Sequence, residues 1–272
     1  MQKFLRKIIY ITLCFALVVS CSGCGNKISG YGVTVIESLK EEDYTICFRN
    51  DDPLYFYVVS AIEVLTADGT IPELAHKWLG DNLLKFEPDL KALEDMSVPE
   101  GKVFRVGINE DAFPMAYLSD GGYWGLDVQC AEAVCDLLKW DLQLIPIENG
   151  KIYEELYSGN IDCAWGGLVL SEKDIADKTV SIYGPYITNE IVVAARTGSA
   201  VYNKARLKGK TMAMRTKQDD MDILNTDRQL ADNLGQITRL AKGTTECFEF
   251  LYAGKADAIL TGSLAVYYYN CH

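Results

Sequence analysis

The chain has 272 residues, 49% of them hydrophobic and 24% charged, which are the proportions of a folded globular protein and exclude a disordered or fibrous one. Its 26 basic and 38 acidic residues leave a net charge of −12, so the broad basic surface that binds a nucleic acid backbone is absent. Only 2 histidines leave little material for a His-rich zinc site or a His-based triad, while carboxylate and thiol chemistry stay open. No metal and no cofactor are expected.

The chain begins with Lys3, Arg6 and Lys7 ahead of an apolar run of 12 residues, Ile8 to Val19, shorter than the roughly 20 a spanning helix needs. That is the pattern of an export signal. Ser22-Gly23-Cys24 resembles the lipobox of bacterial lipoproteins, in which the cysteine is lipidated and becomes the first residue; Val18-Val19-Ser20-Cys21 is the alternative match. Removal of residues 1–23 takes away three positive and no negative charges, so the mature part, 24–272, carries −15. It is expected outside the cytoplasm, anchored to the bacterial cell membrane by lipid, since two acyl chains hold stably without a spanning helix. The 9 cysteines show no framework spacing, and most of those after Cys24 read as small buried hydrophobes.

Along the mature chain, Leu54, Val58, Ile62 and Leu65, then Ile71, Leu74 and Trp78, recur at helical spacing on either side of Asp68-Gly69. Two helices with a break between them are predicted. Residues 82–101, with Pro88 and Pro99, read as a connecting segment with one helical turn. From Val103 the pattern changes to short β-rich runs separated by helices: strands over 103–108, 141–147, 161–167 and 190–196, helices over 126–140 and 151–159. The final third repeats the rhythm with strands at 210–215 and 256–261 and helices at 229–235 and 246–254. Such alternation implies parallel sheets covered on both faces, an α/β protein. No G-x-G-x-x-G, P-loop or G-x-S-x-G is present, which removes the common nucleotide and hydrolase signatures.

Three stretches resemble the family 3 extracellular solute-binding proteins, the polar amino acid binding components of ABC importers. FRVGINEDAFPMAYLSDGGYWGLDVQCAEAVCDLL (104–138) is similar to the family's opening strand, ligand loop and Gly-aromatic-Asp helix start, with Leu126 in place of the aromatic. LYSGNIDCAWGGLVLSEKD (156–174) is similar to its helix, Asp-bearing strand and Ser/Thr-initiated helix. YTICFRNDDPLYFYVVSAIEVLTADGTIPELAHKWLGD (44–81) resembles the family's C-terminal end, yet it comes first here. The resemblance therefore implies a circularly permuted, two-lobed, periplasmic-binding-protein-like (type II) flytrap. Lobe 1 would run over about 48–182, and lobe 2 over 183–272 plus 28–45. Residues 82–101 would be the linker, and Ile182 to Thr188 and Thr45 to Phe48 the hinge. A monomer is expected.

In the family an Arg receives the α-carboxylate and an Asp the α-ammonium of an amino acid. Here the matching positions are Asp174, three residues after Ser171, and Gly262, after Thr261, while Lys217-Gln218-Asp219 stands where the family has Gly-Ser/Thr. The resemblance points to Asn109, Glu148, Asn149, Gly166, Gly167, Ser171, Asp219 and Thr261 at the ligand. Arg215 is a replacement cation or a plain surface residue. Tyr117, with Trp124 and Tyr183, would supply a stacking wall or belong to core and rim. The implied function is capture of a small polar ligand, an amino acid or related amine or acid, for an ABC permease. A sensing module without a transport role is the second reading; an enzyme on the same scaffold, using Glu148, Asp174 and Asp219, is the third.

Overall fold

Asp52 Oδ1 accepts the Leu54 N–H (3.0 Å) at the start of helix α1, Leu54–Ala67, and Asp68 Oδ1 accepts the Thr70 N–H (2.9 Å) at the start of α2, Thr70–Leu79. Both carboxylates satisfy donors that the first helical turn leaves unpaired. In the computed structural model, residues 32–170 and 180–272 are described, and all of them fall in one unit. Ahead of α1 lies a long strand, β1, Val33–Arg49. After α2, residues 82–101 contain turns and no helix, contrary to the predicted helical turn. They are held as a strap instead, with Phe86 buried and stacked on Tyr183 and Tyr186 (ring centroids 5.8 and 5.2 Å).

There follow β2 (Val103–Ile108), β3 (Asp111–Ala112), β4 (Ala116–Ser119), β5 (Gly122–Trp124), α3 (Leu126–Leu138), β6 (Asp141–Pro146), α4 (Ile152–Tyr157) and β7 (Cys163–Ala164). The remainder comprises β8 (Val180–Arg196), β9 (Thr211–Arg215), α5 (Gln218–Thr226), α6 (Arg228–Asn233), β10 (Gln236–Leu240), α7 (Thr244–Tyr252), β11 (Ala258–Gly262) and α8 (Ser263–Cys271). One sheet takes eight of the strands in the order β10-β9-β11-β8-β1-β7-β2-β6, and β3, β4 and β5 form a small second sheet.

The eight-stranded sheet is parallel at each end, through β2 with β6 and β7, and through β9 with β10 and β11. Its two halves are joined by β1 and β8, which run antiparallel to each other. The predicted all-parallel arrangement is thus corrected to a mixed one, and the strand expected over 161–167 shrinks to two residues. Alternation along the strands sends neighbours to opposite faces. Ile46 and Phe48 pack under α1, α2 and α3 with Val106, Ile108 and Trp165, whereas Cys47 packs with Ile152 and Leu156 of α4. In the other half, Val192 and Ala194 face α7 and α8 with Phe248, and Ile191, Val193 and Ala195 face Leu224 and Leu230.

Where β1 and β8 pass from one half to the other, Tyr44 pairs with Ile187 and Ile46 with Tyr183. One residue of β1 therefore faces three of β8, Gly184 to Tyr186, a bulge at the crossing. The two ends of the described chain meet: Asn270 Oδ1 accepts the Val33 N–H (2.8 Å) and its Nδ2 donates to the Val33 carbonyl (3.0 Å). Among the described residues no single helix is long and apolar enough to cross a membrane. The thiols of Cys47, Cys130, Cys135, Cys163 and Cys247 are buried and unbridged; Cys271 is exposed.

Candidate functional site

The parallel strands of both half-sheets end toward one cleft, where α/β folds with open sheets bind ligands. The cleft encloses about 90 Å³ and is partly open to solvent. One wall carries Asn109 after β2, Asp111 and Phe113 around β3, Asn149 after β6, and Gly167 after β7; the other carries Arg215, Lys217, Asp219, Asp220 and Gly262. Glu42, Tyr44 and Asn189 reach it from the crossing strands.

Gly167 is needed for close approach. Its φ is +62°, and a Cβ there would lie 2.2 Å from the Cβ of Ala112. Its N–H donates to Asp127 Oδ2 (3.0 Å), which also accepts from the buried Tyr186 hydroxyl (2.6 Å). Asp127 can reach this loop because α3 begins at Gly125, where a Cβ would sit 2.1 Å from the Met115 carbonyl. Burial pushes the Asp127 carboxyl up to about 7 against the downward pull of its hydrogen bonds. Asn109 is fixed by its own backbone, its N–H bonded to the Gly166 carbonyl (3.0 Å) and its Oδ1 accepting from Asp111 N–H (3.1 Å). Asn149 Oδ1 accepts the Val169 N–H (3.3 Å).

On the opposite wall Arg215 donates from Nε (2.9 Å) and Nη2 (2.6 Å) to the buried carboxylate of Asp220, and from Nη1 to the Asp111 carbonyl (3.3 Å). Burial lowers the affinity of Arg215 for its proton, but the Asp220 contacts outweigh it and the net shift is upward. Lys217 forms an ion pair with Asp111 across the cleft. Asn189 Oδ1 accepts the Leu264 N–H (3.3 Å) at the start of α8. It also fills the space beside Gly262, where an added Cβ would come within 2.8 Å of it. Its amide faces Glu42 (3.5 Å), which is paired with Lys40 (2.9 Å). The Tyr44 hydroxyl is raised by burial and by the Glu42 charge, so it stays protonated as a donor.

The structure thus brings Asn109, Asn149, Gly167, Arg215 and Asp219 to the cleft, with Glu148 at its adjoining mouth. Gly166 lies behind it, against Ile108. Thr261 is buried beneath the cleft, and its place on the wall is taken by Gly262, because successive strand residues face opposite ways. Ser171 and Asp174 lie outside the described residues, as do Cys21 and Cys24. The aromatic residues stand where the core-and-rim alternative puts them: Tyr117 lines a neighbouring hollow between Phe113 and Trp78, Trp124 is half exposed, and Tyr183 stacks on Phe86. Phe113 and Tyr44 are the aromatic residues at the cleft. Sequence reasoning missed them, together with Glu42, Asn189 and Asp220; the Ala-Phe-Pro of the ligand loop was the one local signal available.

Two half-sheets joined by antiparallel crossing strands, with a polar cleft at their strand ends, define a mixed α/β, periplasmic-binding-protein-like fold. The chain belongs to the bacterial extracellular solute-binding proteins, family 3, whose sequence profile matches residues 104–268. No curated protein matches it. Among solved structures it is similar to a polar amino acid ABC uptake transporter substrate-binding protein from Streptococcus thermophilus, at 25% identity and TM-score 0.45 over 59% of this chain. The chain spans 61% of that protein's length. It is also similar to an ABC uptake substrate-binding protein from Streptococcus pneumoniae with bound histidine (21% identity, TM-score 0.46, 61% of this chain and 68% of that one). A third is an ancestral amino acid-binding protein described as a precursor of cyclohexadienyl dehydratase (22%, TM-score 0.45, 61% and 73%).

Proposed function

We propose that this protein captures a small polar ligand, an amino acid or a related amine or acid, outside the cytoplasm and presents it to an ABC importer from a lipid tether at Cys24. The observation that carries the reading is the cleft itself, walled by Asn109, Asn149, Gly167 and Arg215 in a chain of this family. Ligand held by both walls binds the closed state better than the open one, and that differential affinity is the signal a permease can read. The function is binding, not turnover. The tether is supported by the lipobox-like Ser22-Gly23-Cys24 behind an export signal. Protein extracted from membranes in mild detergent and weighed by native and denaturing mass spectrometry should show a diacylglyceryl-modified chain starting at Cys24 and a bound small molecule. An unmodified chain would sink the tether, and a protein without any bound small molecule would count against capture.

We also infer that the chain is circularly permuted. The elements ahead of the matched residues 104–268 fit into the architecture: β1 joins the two halves of the sheet, and α1 and α2 cover its face. The clasp between Asn270 and Val33 brings the two ends of the described residues together, the condition under which permutation is tolerated. A rewired chain running from 102 to 272, through a short Gly-rich link to 32, and on to 101 should therefore fold with an unchanged near-UV spectrum. Its melting temperature should lie within about 5 °C of the natural order. A rewired chain that stays unfolded would overturn the inference.

A further inference from the structure

We propose that Asp220 sets the ligand class of the cleft: by holding Arg215 in a bidentate pair it removes the receptor for a carboxylate, so that the cleft takes an organic cation without a free carboxylate. The inference rests on the binding function proposed above and specifies its ligand. An α-carboxylate enclosed between two walls needs a cation to offset its desolvation. Among the described residues only Arg215 and Lys217 bring positive charge to the cleft. Arg215 presents its Nε and Nη2 edge, the edge that would fork onto a carboxylate, to Asp220, whose side chain is 3% exposed and five residues along the chain. Lys217 is turned to Asp111 in a half-exposed pair.

The carboxylates, by contrast, outnumber the cations. Asp219 lines the cleft with no hydrogen bond or ion pair among the described residues, and Glu110 and Glu148 at its mouth likewise have no side-chain partner there. An ammonium or guanidinium group entering here meets unpaired carboxylate acceptors in a cleft whose cations are already paired. A zwitterion meets a guanidinium already neutralised.

Matched pairs that differ only by the carboxylate test this directly: putrescine and ornithine, cadaverine and lysine, agmatine and arginine. In calorimetric titrations of protein freed of bound ligand by refolding, at least one amine should bind about tenfold or more tightly than its amino acid. Asp220→Asn, which releases Arg215, should narrow or invert that ratio, an effect a merely structural role of Asp220 would not produce. Asp219→Asn should weaken the amine and leave the amino acid little changed. An amino acid that binds the natural protein more tightly than its amine, or an Asp220→Asn protein with an unaltered ratio, would overturn the proposal while leaving solute binding intact. Failure of all six compounds would overturn it as well. Solute binding itself would fall only if the protein also carried no small molecule from its source.

Discussion

Replacing Asp127 by Asn should remove a pH dependence of stability amounting to about 4 kcal/mol between pH 4 and pH 8. Asp127 is fully buried at the start of α3, and its Oδ2 receives both the Gly167 N–H and the Tyr186 hydroxyl. Burial raises its carboxyl from 3.8 to about 7. Between those values the folded protein holds a proton that the unfolded chain has released. The contribution is therefore complete below about pH 4 and is lost as pH rises through 7. Asn keeps an oxygen for the two donors and cannot ionise, so the variant gains on the natural protein as pH rises. Urea unfolding of both proteins from pH 4.5 to 8.5 measures the difference, and two parallel profiles would refute the assignment.

The second large effect is expected from Asp162→Ala, which should cost about 2 kcal/mol at neutral pH, because it removes charge-assisted hydrogen bonds while the basic side chains left behind keep partial access to water. Asp162 accepts from Arg105 three times, through the main-chain N–H (3.0 Å), Nε (3.1 Å) and Nη2 (2.9 Å). Arg49 Nη2 and Lys102 Nζ stand at 3.4 and 3.8 Å. The two arginines also hold the carbonyls of Leu156, Gly159 and Ile161, so the cluster ties β1 and β2 to the turn before β7. Burial works against ionisation of Asp162, but the Arg105 bonds prevail and hold it below the usual carboxylate range. The sign is opposite to that of Asp127: the stabilisation is present above about pH 4 and disappears as pH falls through the depressed value. Thermal unfolding at pH 7 and pH 3 should thus separate natural protein and variant widely at the first and narrowly at the second. Equal differences at both would contradict the role given to the charge.

Local patterning made the helices α1 and α2, strand β2 and helix α3 legible, because their periodicity and punctuation lie within a dozen residues of one another. The cleft residues Asn109, Asn149, Gly167 and Arg215 were legible for a related reason, since each follows a recognisable strand or opens the next helix. The family resemblance came from the same local stretches. β1 is different. Its Glu37-Ser38-Leu39-Lys40-Glu41-Glu42-Asp43 run has the composition of a solvated loop, yet pairing along β8 makes it a strand whose outer half stays largely exposed. Pairings of that kind depend on partners more than a hundred residues away, and no window of sequence contains them. The same holds for the chemistry of the cleft. Sequence determined that an arginine would stand at the end of β9, and the family resemblance pointed to Asp174 and Gly262 as the counterparts of the family's Arg and Asp. Only the tertiary structure decided that Asp220 would occupy that arginine, that Asn189 would fill the space beside Gly262, and that Asp111 would face Lys217 across the cleft. Those outcomes follow from which charged groups are brought within hydrogen-bonding distance in a partly desolvated space, a matter of placement rather than composition.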